Sequence, residues 1–95
     1  MRFEWDEKKN RANLRKHGFP FEIAAEAFQD PLSVTTKDQI VAGEQRFRTT
    51  GCVGRFRVLV VVHTVRQQGE EEVIRIISAR KATPREKRFY EEADE

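Results

Sequence analysis

The segment RIISARKATPREKRFYEE, residues 75–92, passes from an apolar strand into a helix with strong start signals. Thr83 is a suitable N-cap, Pro84 fits the first helical position, and Glu86 follows the cap by three residues, as a capping box requires. Cations concentrate at this junction against the single acid Glu86, namely Arg80, Lys81, Arg85, Lys87 and Arg88. The segment therefore predicts a strand followed by a capped helix, with a local field that attracts anions.

Three segments upstream of this junction are predicted to be strands, at 32–36, 44–53 and 55–67. Their short connections, together with the strand at 71–82, favour an antiparallel meander. The apolar run at 58–62 is typical of a central strand, because it is apolar on both faces. Polar and apolar residues alternate along 44–53, so one face of that strand is polar.

The N-terminal part of the chain is predicted to be helical after a short strand at 2–5. Asp6 can cap a helix over 7–17, and Gly18 suits its C-terminal end. The spacing of apolar residues predicts a second helix over 20–29. We therefore expect an α+β fold in the order β-α-α-β-β-β-β-α. Two N-terminal helices and a C-terminal helix would pack on an antiparallel sheet.

The chain has 95 residues, of which 38% are hydrophobic, so we expect a single domain over 1–95. The net charge of +2 conceals a basic cluster followed by acids, which are Glu91, Glu92, Asp94 and Glu95. Cys52 is the lone cysteine, which excludes an internal disulfide and indicates a cytoplasmic protein. We expect no export signal and no membrane span.

Two separated blocks of residues occur in a definite order. The N-terminal block comprises Trp5-Asp6, Lys9, Asn13, Lys16-His17-Gly18, Phe21, Glu22 and Ala24 or Ala25. The C-terminal block comprises Arg75, Ile77, Ser78, Ala79, Arg80, Ala82, Glu86 and Tyr90, with Gly43-Glu44 and Arg46 between the blocks. In these residues the chain resembles the BrnT family of bacterial type II toxins, which implies a RelE-like fold.

The resemblance also implies a function and a partner. It implies a ribonuclease toxin that cleaves RNA, inhibits translation and is neutralised by a cognate BrnA-like antitoxin. The antitoxin would carry a dimerising DNA-binding region, so we expect a complex of two toxins and two antitoxins that binds operator DNA. We expect the chain to be a monomer when it is alone.

Metal-independent RNA cleavage needs an activated 2′-hydroxyl, cationic donors around the phosphate and a proton for the leaving 5′-oxygen. Arginine suits the phosphate because its planar fork stays charged and donates two hydrogen bonds. We expect a 2′,3′-cyclic phosphate product. The candidate catalytic residues are Arg46, His63, Arg80 and Tyr90, and the candidate RNA-binding residues are Arg48, Arg75, Lys81, Arg85 and Arg88.

Each candidate also has a structural interpretation. Arg46 and Arg80 can form structural salt bridges, and the cations of the last helix can form a solvated face. His63, on an apolar strand, can be a buried histidine that a neighbour satisfies, or a general acid or base. Tyr90 can be a core contact or a phenol near the phosphate.

Two other functions are compatible with the sequence. The basic face can bind nucleic acid without cleaving it, or the fold can act on another target such as DNA gyrase. The two histidines lie far apart along the chain and Cys52 is alone, so no metal-ligand spacing is present. No Gly-rich phosphate loop is present either, and we expect no cofactor.

Overall fold

The computed structural model describes residues 1–55 and 57–93. Five strands form one sheet in the order β1-β5-β4-β3-β2, so the coarse prediction of an α+β fold is confirmed. Phe56, part of a predicted strand, and the acidic Asp94 and Glu95 lie outside the described residues. The elements are β1 (Arg2–Glu4), α1 (Glu7–His17), α2 (Phe21–Ala24), a 3₁₀ helix (Ala25–Gln29), β2 (Val34–Val41), β3 (Glu44–Val53), β4 (Arg57–Gln68), β5 (Glu71–Lys81) and α3 (Pro84–Glu92).

The sheet is mixed, so the prediction of a wholly antiparallel sheet is wrong. β1 pairs with β5 in parallel, with Arg2 opposite Val73 and Glu4 opposite Arg75. Parallel neighbours need a long crossover connection, and here the intervening helices and strands supply it. The local sequence pattern predicts that β1 is a strand, but it does not predict the strand with which β1 pairs.

Two predicted boundaries also differ from the structure. The connection expected after residue 36 is mostly strand, because β2 continues to Val41 and the turn falls at Ala42 and Gly43. Both turn residues have positive φ, 50° and 79°, which suits a two-residue hairpin between right-twisted strands. The second predicted helix is a short α2 followed by the 3₁₀ helix.

The N-terminal helices cover one face of the sheet. The core there joins Phe21 and Ala24 of α2 to Leu59 and Val61 of β4. The 3₁₀ helix approaches β3 so closely that a Cβ at Gly51 would lie 2.4 Å from the carbonyl oxygen of Ala27. Glycine at this position is therefore required by packing. Among the described residues, no helix combines the length and the hydropathy that a bilayer crossing demands.

Helix α1 is attached to the sheet by hydrogen bonds, since its buried residues are Asn10 and Asn13. The Asn13 side chain accepts from the N–H of Ala79 at 3.0 Å and donates to the C=O of Ala79 at 2.8 Å. It also donates to the C=O of Phe19 at 2.8 Å. β1 pairs with residues 73–75 of β5 and no farther. At Ala79, farther along the same edge of β5, the side chain of Asn13 makes the hydrogen bonds that a neighbouring strand would otherwise make.

A bulge in β5 decides which face its arginines occupy. Ser78 pairs with Val62, whereas Ile76 pairs with His63, so Ile77 is an extra residue. An extra residue reverses the alternation of side chains along the strand. Arg75 and Arg80, five residues apart, consequently lie on the same face of the sheet.

Replacing Asn13 by alanine should lower the free energy of unfolding by roughly 2–5 kcal/mol, because three buried backbone groups lose their partner. Urea denaturation at neutral pH measures the change. Arg11→Ala, an exposed change in the same helix, is the matched control and should cost less than about 0.5 kcal/mol. Equal small losses for the two variants would contradict the role assigned to Asn13.

Candidate functional site

The sheet face opposite α1 and α2 carries a row of arginines. Alternate residues of β3 point to this face, among them Arg46 and Arg48, and the bulge adds Arg75 and Arg80 from β5. Helix α3 covers part of the same face. Its Tyr90 packs with Val58, Val60 and Ala82, and Cys52 lies against this group.

Glu86 of α3 connects two of these arginines. Arg80 donates two hydrogen bonds to the Glu86 carboxylate, from Nη1 at 2.7 Å and from Nη2 at 2.9 Å. Nη1 of Arg48 lies 3.7 Å from the same carboxylate. Glu86 also closes the predicted capping box, because it accepts from the Thr83 N–H at 2.9 Å and its own N–H donates to Thr83 Oγ1 at 3.1 Å.

The Arg80–Glu86 pair stays ionised across the physiological pH range. Hydrogen bonds from Arg80, opposed by partial burial and assisted by the Thr83 backbone, lower the pKa of Glu86 to about 2. The same hydrogen bonds raise the pKa of Arg80. Glu86 is thus a poor proton acceptor near neutral pH, and its role is to hold Arg80 in one orientation.

Arg48 is held far less firmly than Arg80. Its ion-pair distances are long, 3.7 Å to Glu86 and 3.6 Å from Nε to Asp38 Oδ1. The Nε atoms of Arg48 and of Arg46 are buried and have no hydrogen-bond acceptor among the residues described. Because these two atoms have no exposed surface, the capacity of Arg48 for a ligand depends on the rest of its guanidinium, whose ion pair to Glu86 is long.

A cleft of about 340 Å³ opens beside Arg48, between the sheet and α3. Its walls combine two cations and one carboxylate with apolar and hydroxyl side chains. The lining residues are Val34, Thr36, Arg48, Thr50, Val60, Arg85, Glu86 and Phe89. The lining thus offers positive charge, apolar surface and hydrogen-bonding groups in one cleft.

The cations of the predicted cluster do not all line this cleft. Arg85 lines it, whereas Arg88, three residues later and about 60° round the helix from Arg85, does not. Lys81 follows Arg80 directly in β5 and therefore points to the opposite face. The start of α3 offers few free donors, since Pro84 has no N–H and the capping box uses that of Glu86.

Arg46 and Arg75 lie on the same face as the cleft, but farther along the sheet. Arg46 is two residues, about 7 Å, from Arg48 along β3. Arg75 Nη2 donates to Glu44 Oε1 at 2.6 Å, in an exposed ion pair. The carboxylate of Glu44 is therefore paired with Arg75, from the other side of the sheet's central strand.

His63 lies on the other face of the sheet, so the structure does not bring it together with Arg80. Its side chain is 1% exposed and packs between Phe28 and Phe47, with ring centroids 4.8 and 6.0 Å away. Nε2 shares a hydrogen bond of 2.8 Å with Thr49 Oγ1. Burial lowers the pKa of His63 to about 4, and the geometry agrees with a structural histidine.

Tyr90 is a buried contact of α3. Its hydroxyl donates to Asp30, which also accepts from the backbone N–H of Cys52 at 2.7 Å and of Leu32 at 2.9 Å. Burial and the bond to Asp30 raise the pKa of Tyr90. The phenol is therefore occupied in joining α3 to β3 and to the loop before β2.

Sequence reasoning missed several residues of the cleft, namely Val34, Thr36, Thr50, Val60 and Phe89. The alternation along β3 could have identified Thr50, which shares a face with Arg48. The helical repeat could have identified Phe89, four residues after Arg85. Nothing in the sequence places β2 beside α3. Within 1–55 and 57–93, no three His, Cys, Asp or Glu side chains are grouped as metal ligands would be.

Residues 5–86 match a family described as the ribonuclease toxin BrnT of type II toxin-antitoxin systems. The chain belongs to the BrnT family. Among solved structures, it is similar to the Brucella abortus ribonuclease toxin BrnT, whose crystal structure has 1.1 Å resolution. The TM-score is 0.62 at 26% identity, over 87% of this chain and 97% of that one. A search of curated proteins finds no match.

Membership of the BrnT family confirms the resemblance seen in the two sequence blocks. It supports the role of a ribonuclease toxin, with RNA as substrate and an antitoxin as partner. The match ends at Glu86, the residue that orients Arg80 and caps α3. The Arg80–Glu86 pair therefore lies within the part of the chain that the family describes.

The burial of His63 predicts a pH-dependent stability. The unfolded state binds a proton near pH 6.5, but the folded state resists it until about pH 4, so stability is lost as the pH falls between these values. His63→Gln removes this titration. Relative to the variant, the wild type should lose roughly 3 kcal/mol of unfolding free energy between pH 6.5 and pH 4.

Urea denaturation at several pH values from 7 to 4 measures this difference. Both proteins should carry His17→Gln, so that His63 is the one histidine that differs between them. A constant difference between the two proteins across the pH range would show that His63 titrates freely and is open to solvent.

Proposed function

We propose that this BrnT protein is a metal-independent endoribonuclease that binds the scissile phosphate at Arg48, beside the Arg80–Glu86 pair. The observation that carries the proposal is the state of Arg48. Arg48 lines the cleft, its side chain is 40% exposed, and its ion pairs to Asp38 and Glu86 are long. A phosphate oxygen can form shorter, charge-assisted hydrogen bonds with this guanidinium than its two carboxylate partners do.

The proposed reaction depends on charge stabilisation more than on proton transfer. The 2′-oxygen forms a bond to phosphorus, the bond to the 5′-oxygen breaks, and a 2′,3′-cyclic phosphate results. Arg48 and Arg80 neutralise the charge that develops on the phosphate oxygens. The cleft lining contains no imidazole, and the carboxylate of Glu86 is too weak a base to take the 2′-hydroxyl proton efficiently. Solvent would therefore exchange the protons.

The remaining candidates take secondary roles. Arg85, in the cleft, and Arg46 and Arg75, farther along the same face, would contact flanking phosphates of a bound strand. Tyr90 and His63 would contribute by maintaining the fold, because each is buried and hydrogen-bonded away from the cleft. Lys81 and Arg88 would remain in solvent.

The biological role follows from the family. We infer a RelE-like arrangement, in the cytoplasm, that inhibits translation by cleaving RNA. A BrnA-like antitoxin would neutralise it by covering the arginine face, in a complex of two toxins and two antitoxins that binds operator DNA through the antitoxin. The positive charge of the face supports an acidic segment of the antitoxin as its occupant.

Arg48→Ala should reduce the rate of RNA cleavage about 100-fold or more, because a donor to the transition state is lost. Arg80→Ala should have a comparable effect and should also leave Glu86 without its partner. Cleavage by the wild type should persist in EDTA and yield cyclic-phosphate ends. Gel analysis of a purified RNA, with end-group detection, provides the measurement.

Arg11→Ala is the control, since it removes a guanidinium from α1 on the covered side of the sheet. Its rate should equal that of the wild type. If Arg48→Ala and Arg80→Ala cleave at the wild-type rate at matched folded concentration, the site lies elsewhere. RNA that is bound but left intact by the wild type would favour simple nucleic-acid binding.

The two exposed arginines of α3 should differ in their effect on salt dependence. Arg85→Ala should reduce the slope of log affinity against log salt by roughly 0.7, the value for one phosphate contact with a single strand. Arg88→Ala should leave the slope unchanged, because Arg88 does not line the cleft. Titration of a 2′-O-methyl oligonucleotide, which has no free 2′-hydroxyl to attack, provides the slopes.

Equal effects of the two changes would mean that the helix contributes a general basic field. An unchanged slope for Arg85→Ala would remove this arginine from the RNA-binding site. Matched thermal unfolding of the two variants shows whether either change disturbs α3.

A further inference from the structure

Phe89 is an unusual residue of the cleft. Its side chain is 61% exposed, and it is the one aromatic among the strongly exposed large hydrophobic residues in the described part of the chain. The next residue, Tyr90, provides the buried aromatic contact that holds α3 on the sheet. The exposure of Phe89 therefore has no explanation in the packing of α3.

The position of Phe89 places its ring beside a phosphate contact. Phe89 lies one helical turn after Arg85, and residues four apart share one side of a helix. Both residues line the cleft that also contains Arg48. An apolar ring next to two guanidinium groups suits a ligand that is flat and apolar at one end and anionic at the other.

The rest of the cleft fits the same kind of ligand. Val34 and Val60 provide apolar surface, and the hydroxyls of Thr36 and Thr50 can donate or accept hydrogen bonds. The remaining lining residue, Glu86, has its negative charge neutralised by Arg80. The volume of about 340 Å³ is at the small end of the range for ligand sites, roughly 300–1,000 Å³. A single nucleotide is of this order, whereas a duplex is too large.

We propose that the cleft binds one unpaired nucleobase, stacked on Phe89, while its phosphate contacts Arg48 and Arg85. This inference rests on the proposed function and identifies the substrate as single-stranded RNA. Bases in a duplex are already paired and stacked, so they are not available to the ring. The hydroxyls of Thr36 and Thr50 read the edge of the base, and they make this cleft the place where base preference is set.

Three variants of Phe89 separate stacking from general apolar contact. Phe89→Trp keeps a flat aromatic surface, Phe89→Leu keeps apolar volume without a ring, and Phe89→Ala removes both. Leu14→Ala is the control, because Leu14 is an exposed hydrophobic residue of α1, on the covered side of the sheet. The probes are a single-stranded 2′-O-methyl octanucleotide, its duplex, and the octanucleotide with abasic positions.

Phe89→Ala should weaken binding of the single strand about 10-fold or more, the range expected for one stacked base. Phe89→Leu should weaken it nearly as much, and Phe89→Trp should preserve it. The salt slope should stay at the wild-type value in all three, because no phosphate contact is lost. The abasic probe should bind the wild type and Phe89→Ala with the same affinity. The duplex should also bind these two proteins with one affinity.

Wild-type affinity in Phe89→Ala would overturn the inference, even if the wild type cleaves RNA and the proposed function stands. Conversely, base-dependent binding without any cleavage by the wild type would support the inference and refute the proposed function. If Phe89→Ala binds the octanucleotide normally but no longer binds the co-expressed antitoxin, Phe89 belongs to a protein interface and the inference fails.

Discussion

The three hydrogen bonds of Asn13 are the constraint on which the rest of the structure depends. They attach the polar helix α1 to Ala79 and Phe19, and they satisfy the edge of β5 where β1 has ended. These bonds fix the helical layer to one side of the sheet, and the attachment point, Ala79, is the residue before Arg80. The opposite side is left to α3 and to the arginines. A buried amide thus determines which face of the sheet the N-terminal helices cover and which face is left to the arginines.

The arginine face arises from a combination of local and non-local features. The bulge at Ile77 brings Arg75 and Arg80 to one face, which an unbroken strand would keep on opposite faces. Glu86 then caps α3 and orients Arg80 at the same time, so the helix start and the charged cluster depend on one carboxylate. Arg48, with its long ion pairs, is left as the guanidinium with capacity for a ligand.

The sequence allowed prediction of features that depend on neighbouring residues. The capping box of Thr83 and Glu86 and the bounds of α1 and β3 were predicted because their signals are local. The parallel pairing of β1 and the bulge at Ile77 depend on contacts between distant segments, which periodicity does not report. For His63 the apolar neighbours left two interpretations open, and only the register shows that it faces the core, away from the arginines.

The most direct test of this account is to map the surface that RNA contacts. Titration of the ¹⁵N-labelled protein with a 2′-O-methyl octanucleotide, followed by amide chemical shifts, compares the two faces of the sheet in a single experiment. The account predicts the largest shifts in the arginine face and its cleft, at residues such as Arg48, Thr50 and Phe89, with α1 unchanged. Shifts concentrated on the basic residues of α1 instead, with the cleft unchanged, would contradict it.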